Sequence, residues 1–446
     1  MKNGRDEEST MDSVKRLERS TNSASKAKNS ILTLGRSLSG RNYQLYFFGQ
    51  LVSLIGTWMQ QLALSWLTYK LTNSPFLLGA VAFVGTAPSF LLSPFAGVLS
   101  DRFNRHKLLI FTQCSSMTLA FALAALALTG HIQLWQIMMI GVLTGLVNAV
   151  DMPVRQAFVV DLVHSRNDLP NAIALNSSLM NLTRLLGPAI AGAVIAVFGE
   201  GVCFLANGVS YIAVIAALMA MRFPKPVVNE APAHGISRHI KDGFEYAFNH
   251  FPIRSLLIIS AISSVAVMPL STLMPALVKD TFHGGPATLG YLMSASAIGS
   301  LVGGVMLASR DSLKGIGRHI VVAMVLFSVA MMLFAFNRSF IAALVLLALI
   351  GFGTMFQMSA SNTLLQTLVE DDKRGRVMSL YSMCFMGMMP MGSLLAGSLA
   401  SAVGAGVTIF ISGVVCLMVA GWLAGALPAL RNKALPAMQS GLAEQS

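Results

Sequence analysis

From residue 97 the sequence reads Gly97-Val-Leu-Ser-Asp-Arg-Phe-Asn-Arg-His-Lys-Leu-Leu109, a short charged turn between two long apolar runs. Asp101, Arg102, Arg105 and Lys107 crowd into it, whereas neither flank carries another charge for many residues. A turn this short joins two antiparallel helices, and its basic residues indicate the cytoplasmic side of a bilayer. The stretch therefore predicts a pair of membrane-spanning helices.

The composition of the 446-residue chain extends that prediction to nearly its whole length. Hydrophobic residues make up 54% and charged residues 11% of it, far from the usage of soluble globular proteins. Its apolar segments are each near the ~20 residues that a spanning helix needs. We place twelve of them, at 44–69, 76–99, 107–129, 134–160, 171–198, 202–221, 254–278, 289–309, 318–336, 340–368, 377–400 and 405–427. The sequence predicts an all-α membrane protein.

The twelve segments divide into two sets of six. Residues 222–253 break the rhythm, because they contain several prolines and a basic amphipathic stretch. The predicted domains are a disordered cytoplasmic tail at 1–42, a six-helix bundle at 43–221, a cytoplasmic linker at 222–253, a second six-helix bundle at 254–428 and a cytoplasmic tail at 429–446.

The distribution of Lys and Arg predicts the orientation. If both termini are cytoplasmic, the opposite side has only Lys70, Lys279 and Arg338. By the positive-inside rule, this asymmetry places both ends inside. The net charge of +12 reflects the Lys and Arg residues of the cytoplasmic loops, so no nucleic-acid partner is expected.

The two halves also repeat each other. Residues 156–163 (QAFVVDLV) align with residues 362–369 (NTLLQTLV), and each stretch ends the fourth helix of its half. The opening turn has a degraded echo between Gly304 and His319. Two parallel six-helix repeats are the build of a rocker-type secondary transporter.

These residues carry a family resemblance. The opening turn resembles motif A of the major facilitator superfamily, with Gly97, Asp101, Arg102 and Arg105 in place and Asn104 where the family has glycine. We expect Asn104 to keep the turn, since Asn tolerates a left-handed backbone. The phrases 74–79, 151–158, 362–366 and 374–379 resemble the enterobactin-exporter-like branch, also called transmembrane secretion effectors.

The resemblance implies the major facilitator fold, with twelve helices in two pseudo-symmetric halves. It also implies a bacterial inner-membrane location and a small-molecule cargo such as a siderophore or a drug. Such an exporter needs no cofactor beyond the proton motive force. We expect it to be monomeric in the lipid bilayer, with no metal site and no enzymatic activity.

Asp151 is the carboxylate that the sequence places near mid-membrane. It lies about ten residues from the end of the fourth segment, or ~15 Å deep. Arg155 is one turn away on the same face, and Arg184 on the fifth segment lies at a similar depth. One interpretation is that Asp151 exchanges a proton and that Arg155 or Arg184 adjusts its pKa. The other is a permanent ion pair that pins the fourth and fifth helices together. The second half has neutral Gln357 at the matching position.

The charged turn offers a candidate gate. Asp161 ends the fourth segment on the same side, so Arg105 can bridge Asp101 and Asp161. The resemblance implies that Asp101 also faces the positive amino-terminal end of the eleventh helix and latches the two halves together. The alternative is a topology signal and a hairpin staple with no gating role.

Small and polar residues supply the remaining candidates. Gly187, Pro188 and Gly192 resemble the helix-5 antiporter motif of exporters; they either seal the cavity against leak or serve ordinary close packing. The candidates for lining the cargo cavity are polar or aromatic residues inside the segments, each of which could instead bridge helices: Trp58, Gln60, Gln61, Asn148, Asn176, Asn181, Gln357 and Asn362.

The leading hypothesis is a proton antiporter that exports a small organic molecule by alternating access. A metabolite importer or facilitator of the same fold is one alternative, and a non-transporting membrane receptor is another. An ATP-driven pump is not expected, because the chain has no Walker motif.

Overall fold

The computed structural model describes residues 38, 40–163, 168–221, 244–310, 312 and 315–443, with backbone alone for 93–102, 371–372 and 429–443. Residues 1–37 of the predicted tail and 222–243 of the predicted linker lie outside the described residues. No strand occurs within the described ranges, which form long helices. In chain order these are α1 (Arg41–Thr72), α2 (Pro75–Arg102), α3 (Arg105–Leu128), α4 (Leu134–Asp161), α5 (Leu169–Phe198), α6 (Glu200–Ala220), α7 (Phe251–Asp280), α8 (Pro286–Ala308), α9 (Ile316–Ala335), α10 (Phe340–Leu368), α11 (Asp371–Met386), α12 (Met388–Val403) and α13 (Ala405–Ala443).

The helices have the dimensions of a polytopic membrane protein. In the described part of the chain, 11 spans are long and apolar enough to cross a bilayer. The helix α1 is less hydrophobic than these 11 spans, because it carries Gln50, Gln60 and Gln61. Its 32 residues are still long enough to extend over about 48 Å. Each of the twelve predicted spanning segments therefore coincides with long helical structure. The last helix continues past the predicted start of the tail at residue 429.

The eleventh predicted segment is two helices rather than one. The helix α11 ends at Met386 and α12 begins at Met388. Pro390 has no N–H to donate to the carbonyl group of Met386, and its ring crowds that carbonyl. At Gly387 a Cβ atom would lie 2.1 Å from the ring of Phe90 on α2, so only glycine fits at the junction.

The packing of the helices shows the internal repeat. In the first half α2 packs on α4, α3 on α6 and α1 on α5; in the second half α8 packs on α10, α9 on α13 and α7 on α12. The two halves meet through α2 with α12 and through α5 with α8, which are equivalent pairs under the same repeat. The chain thus forms two pseudo-symmetric halves, α1–α6 and α7–α13, in which α11 and α12 together take the place of one helix of a six-helix repeat.

We name the two ends of the bundle by the turns that they contain. The Asn73 face carries the turns after α1, α3, α5, α7, α9 and α12, and the Asn104 face carries those after α2, α4, α8 and α10. The backbones of the two halves cross closely near the Asn73 face. A Cβ atom on Gly79 would lie 2.4 Å from the carbonyl oxygen of Ser393, and one on Gly290 would lie 2.5 Å from that of Pro188. Backbone therefore meets backbone at both crossings.

Candidate functional site

Asp151 lies in a polar cluster inside the first half. Its side chain is 6% exposed, and its Oδ1 accepts hydrogen bonds from Thr112 Oγ1 and Gln113 Nε2, both at 2.7 Å. Its Oδ2 accepts from Nη2 of Arg155, one helical turn away. The predicted pairing of Asp151 with Arg155 is confirmed.

The sequence of α4 explains why Asp151 faces α3. Gly141 and Gly145 form the face of α4 that packs on α2, where a Cβ on Gly145 would lie 2.8 Å from the carbonyl oxygen of Gly85. Ser89 on α2 also donates to the carbonyl oxygen of Gly145 at 2.7 Å. Asp151 is six residues beyond Gly145, or about 240° around the helix. It therefore points away from α2, toward the buried polar residues of α3.

The second cationic partner expected for Asp151 is not found. Arg155 Nη1 donates to Gln50 Oε1 on α1 at 3.0 Å. Arg184 has an exposed side chain on α5 and is not among the partners of Asp151. The prediction that the ion pair joins the fourth and fifth helices is wrong. The pair joins α4 to α1 and α3 instead, because α4 and α5 have few contacts.

The cluster holds most of the unpaired buried polar atoms in the described part of the chain. Four buried side-chain N or O atoms have no hydrogen-bond partner there, and three of them are Tyr46 Oη, Gln113 Oε1 and Arg155 Nε. Gln113 and Tyr46 are each 1% exposed. Unpaired groups at such depth are costly, so a concentration of them marks a site with unused hydrogen-bonding capacity.

The charged turn is partly described. Arg105 Nη1 lies 3.1 Å from Asp161 Oδ1 and 3.2 Å from Oδ2, as expected. Gly97, Asp101 and Arg102 belong to the stretch described by backbone alone, so the predicted bridge through Asp101 lies outside the described side chains.

Asn104 keeps the turn as expected, but not through a left-handed backbone. Its φ is −64° and its ψ is 112°, and its Oδ1 accepts a hydrogen bond from the backbone N–H of Lys107 at 3.1 Å. Asn104 is therefore the N-cap of α3, a role in which Asn is strongly favoured and which requires extended backbone.

The glycines of α5 pack as closely as predicted. A Cβ on Gly187 would lie 2.4 Å from Cβ of Trp58 on α1. A Cβ on Gly192 would lie 2.8 Å from the carbonyl oxygen of Pro286 on α8. The motif Gly187-Pro188 with Gly192 thus serves one contact within the first half and one between the halves.

The candidate cavity residues separate into two groups. Some are paired with buried side chains: Gln60 Oε1 accepts from Asn207 on α6 at 2.8 Å, and Gln357, 3% exposed, donates to Ser361 on the same helix at 3.3 Å. Gln60 thus has the helix-bridging role given above as the alternative to lining the cavity, and Gln357 is paired within α10.

The members of the second group do not pair with a buried side chain in the described part of the chain. Gln61 and Asn148 are exposed, and Asn176 is half-buried. Asn181 donates to the carbonyl oxygen of Ser177 at 3.0 Å, and Asn362 accepts from Gln366 at 2.8 Å. Gln61, Asn148 and Asn176 remain the candidates with unused amide groups.

Polar contacts that sequence reasoning missed join the halves at the Asn73 face. Tyr69 Oη, at the end of α1, donates to Asp280 Oδ2 at the end of α7. Lys279 Nζ donates to Asn73 Oδ1 at 2.5 Å and lies 5.6 Å from the ring centroid of Tyr69. The signal was present, since Lys279-Asp280 is an isolated charged pair at a helix end.

The echo of the charged turn in the second half borders a cavity of about 360 Å³. Arg310 Nη1 lies 3.0 Å from His319 Nε2, which connects the ends of α8 and α9. The lining residues are Gly304, Leu307, Ala308, Arg310, Ser312, Ile316, Ser359 and Thr363. The echo has thus kept its cations at the Asn104 face.

Comparison with known proteins identifies relatives along almost the whole chain. A family model described as transmembrane secretion effector matches residues 37–443. The staphyloferrin A transporter of Staphylococcus aureus is 28% identical over 371 residues, 83% of this chain and 92% of that protein. Macrolide efflux protein A of Streptococcus pyogenes is 22% identical and covers 85% of this chain and 95% of its own. The multidrug efflux pump Tap of Mycolicibacterium fortuitum is 26% identical, with 87% and 96% covered.

Solved structures of transporters share the fold. The peptide transporter POT in complex with alafosfalin superposes with a TM-score of 0.71 at 13% identity, covering 89% of this chain and 96% of that one. The nucleoside transporter NupG gives 0.69 at 12% identity, with 86% and 99% covered. At these identities the likeness concerns the arrangement of helices alone.

Proposed function

Since the chain belongs to the transmembrane secretion effector family of the major facilitator superfamily, we propose that it exports a small organic molecule in exchange for protons by alternating access. Membership of the family makes it a transporter rather than an enzyme. We also propose that it lies in the bacterial inner membrane with both termini in the cytoplasm. The Asn104 face is then the cytoplasmic face.

The observation that carries proton exchange is the burial of Asp151. Burying a carboxylate inside a membrane bundle costs several kcal/mol, so such residues generally have a function or a full set of partners. Asp151 has three donors, yet unpaired polar atoms surround them. That combination favours a group that changes protonation over a permanent ion pair, whose neighbours would be fully paired.

The contacts between the halves support alternating access. The close crossings at Gly79 and Gly290 and the Tyr69–Asp280 hydrogen bond all lie toward the Asn73 face. Such an arrangement fits a transporter closed on the outside and receptive to cargo from the cytoplasm. Arg184 is exposed in the middle of α5, at a depth where a side chain facing lipid would be apolar. We therefore place it on the cargo path. In the opposite state Asp101 would latch the halves at the Asn104 face.

A siderophore is the first cargo that we propose, because the staphyloferrin A transporter is among the relatives. A macrolide or another lipophilic drug is the second, because drug efflux proteins match over a similar length. Deletion of the gene in iron-starved cells distinguishes the two: siderophore retained in the cytosol supports the first, and a new drug sensitivity supports the second.

Everted membrane vesicles test the transport mechanism. With the vesicle interior made acidic, the wild-type protein should accumulate radiolabelled cargo. Asp151→Asn should abolish the accumulation at an unchanged amount of protein in the membrane. Glu200→Gln is the matched control, since Glu200 is a carboxylate that pairs with Lys70 at 2.9 Å within the first half. Accumulation by Asp151→Asn at the wild-type rate would refute proton exchange at this residue, and accumulation only with the reversed gradient would indicate an importer.

A further inference from the structure

We propose that Asp151 receives its proton on Oδ1, and that the hydroxyl group of Thr112 changes from hydrogen-bond donor to acceptor in order to hold it. This inference rests on the proton exchange proposed above and names the atoms at which it occurs. Thr112 is a positioning residue in this scheme, because it acts through Asp151 and touches no cargo.

The hydroxyl group of Thr112 has two possible acceptors and a single hydrogen. Its Oγ1 lies 2.7 Å from Asp151 Oδ1 and 3.0 Å from the carbonyl oxygen of Leu109. A hydroxyl group donates one hydrogen bond and accepts up to two. While Asp151 is ionised, the hydrogen points to Oδ1, since a bond to a charged acceptor is about twice as strong as a neutral one.

Protonation reverses the direction of that bond without moving a heavy atom. The new hydrogen on Oδ1 donates to Thr112 Oγ1, and the hydrogen of Thr112 turns to the carbonyl oxygen of Leu109, already within hydrogen-bond distance. The carboxyl group gains one proton and its negative charge disappears. Each of the three oxygen atoms keeps a partner in both states, so the exchange leaves no newly unpaired group in a buried site.

The other oxygen of Asp151 cannot hold the proton as well. Oδ2 faces the guanidinium group of Arg155, which has donors only. Gln113 presents its Nε2 to Oδ1 and leaves its Oε1 without a partner. It could accept the proton only after its amide group turned over within a site where its side chain is 1% exposed. Thr112 needs no such rearrangement.

The surroundings provide no competing proton acceptor among the described residues. Arg155 interacts electrostatically with Asp151 and with the phenol groups of Tyr46 on α1 and Tyr211 on α6. The phenol of Tyr43, on α1, donates to the carbonyl oxygen of Ala172 at 2.9 Å. A phenol group is uncharged at neutral pH and keeps its own proton, so these groups do not compete with a carboxylate for a proton.

Infrared difference spectroscopy of the purified protein in lipid, recorded between neutral and acidic pH, tests the assignment. Protonated Asp151 should give a carboxylic C=O band that is lost in Asp151→Asn. That band lies at low wavenumber while the acid donates a hydrogen bond. Thr112→Val, which replaces the hydroxyl with a methyl of the same shape, should move the band to higher wavenumber. Thr112→Ser should leave it in place, and Thr112→Cys, with a weakly accepting sulfur atom, should move it part of the way.

The outcomes separate this inference from the proposed function. A band that depends on Asp151 but does not move along the Ser, Cys and Val series overturns the role of Thr112 and leaves proton exchange intact. A shift in Gln113→Leu without one in Thr112→Val assigns the acceptor to Gln113 and also overturns it. If no band depends on Asp151, proton exchange at this residue is itself refuted. The graded series gives a result even if Thr112→Val fails to fold.

Discussion

The crossing of α2 and α12 allows a sharp test of alternating access through Gly79→Ala. The added methyl group would lie 2.4 Å from the carbonyl oxygen of Ser393 and 2.9 Å from Cα of Gly397, whereas Cβ contacts below 3.0 Å are essentially never seen. Both opposing atoms belong to backbone, so the helices must separate. Overpacking of this kind costs about 1–3 kcal/mol, which corresponds to a population shift of roughly 5–150-fold.

The substitution should therefore depopulate the state closed at the Asn73 face. The assay is a distance distribution between spin labels at Phe76 on α2 and Val403 on α12, both 43% exposed, in a protein without its native cysteines. We expect the short distance of the closed state to give way to a longer one. Gly85→Ala is the matched control: it lies on the same helix and adds the same methyl group, with nothing within 4 Å of it. Identical distributions for the two variants would refute the reasoning.

Two further substitutions test the polar contacts. Arg155→Leu leaves Asp151 buried without its cation, so we expect a loss of about 3–5 kcal/mol of unfolding free energy, measured by denaturant titration in detergent. Arg105→Leu, which removes a pair with Asp161 whose side chains are 33% and 40% exposed, should cost less than about 1 kcal/mol. Equal losses would contradict the assigned burial. Tyr69→Phe removes the donor to Asp280 and should speed labelling of a thiol placed at the Asn73 face, whereas an unchanged rate would show that this hydrogen bond does not hold the halves together.

The sequence predicted the fold well because membrane helices depend on properties that a sequence displays directly. Apolar runs of sufficient length and the uneven placement of Lys and Arg are local features. The break at Gly387 was missed, although Pro390 was visible, because proline is tolerated inside many membrane helices. The ring of Phe90 lies beside Gly387, and a tertiary contact of this kind is not visible in the sequence.

The candidate site was predicted in part. The pairing of Asp151 with Arg155 follows from their spacing on a helix, so it could be read from the sequence. The partners on other helices could not, because they depend on how α4 is rotated about its axis. The small residues Gly141 and Gly145 did carry that information, since they mark the face that packs on α2. Without the position of α2, they did not identify Thr112 or Gln113.

The pair of backbone crossings has a consequence for leakage. Gly79 against Ser393 and Gly290 against Pro188 are equivalent under the internal repeat, and each half is packed as one body. In the proposed rocking motion, the two contacts must therefore separate in the same event. A partly open outer seal, with one crossing broken and the other made, would require a half to deform internally. In that proposed motion opening is all-or-none, and a stray ion would find no half-open seal through which to pass.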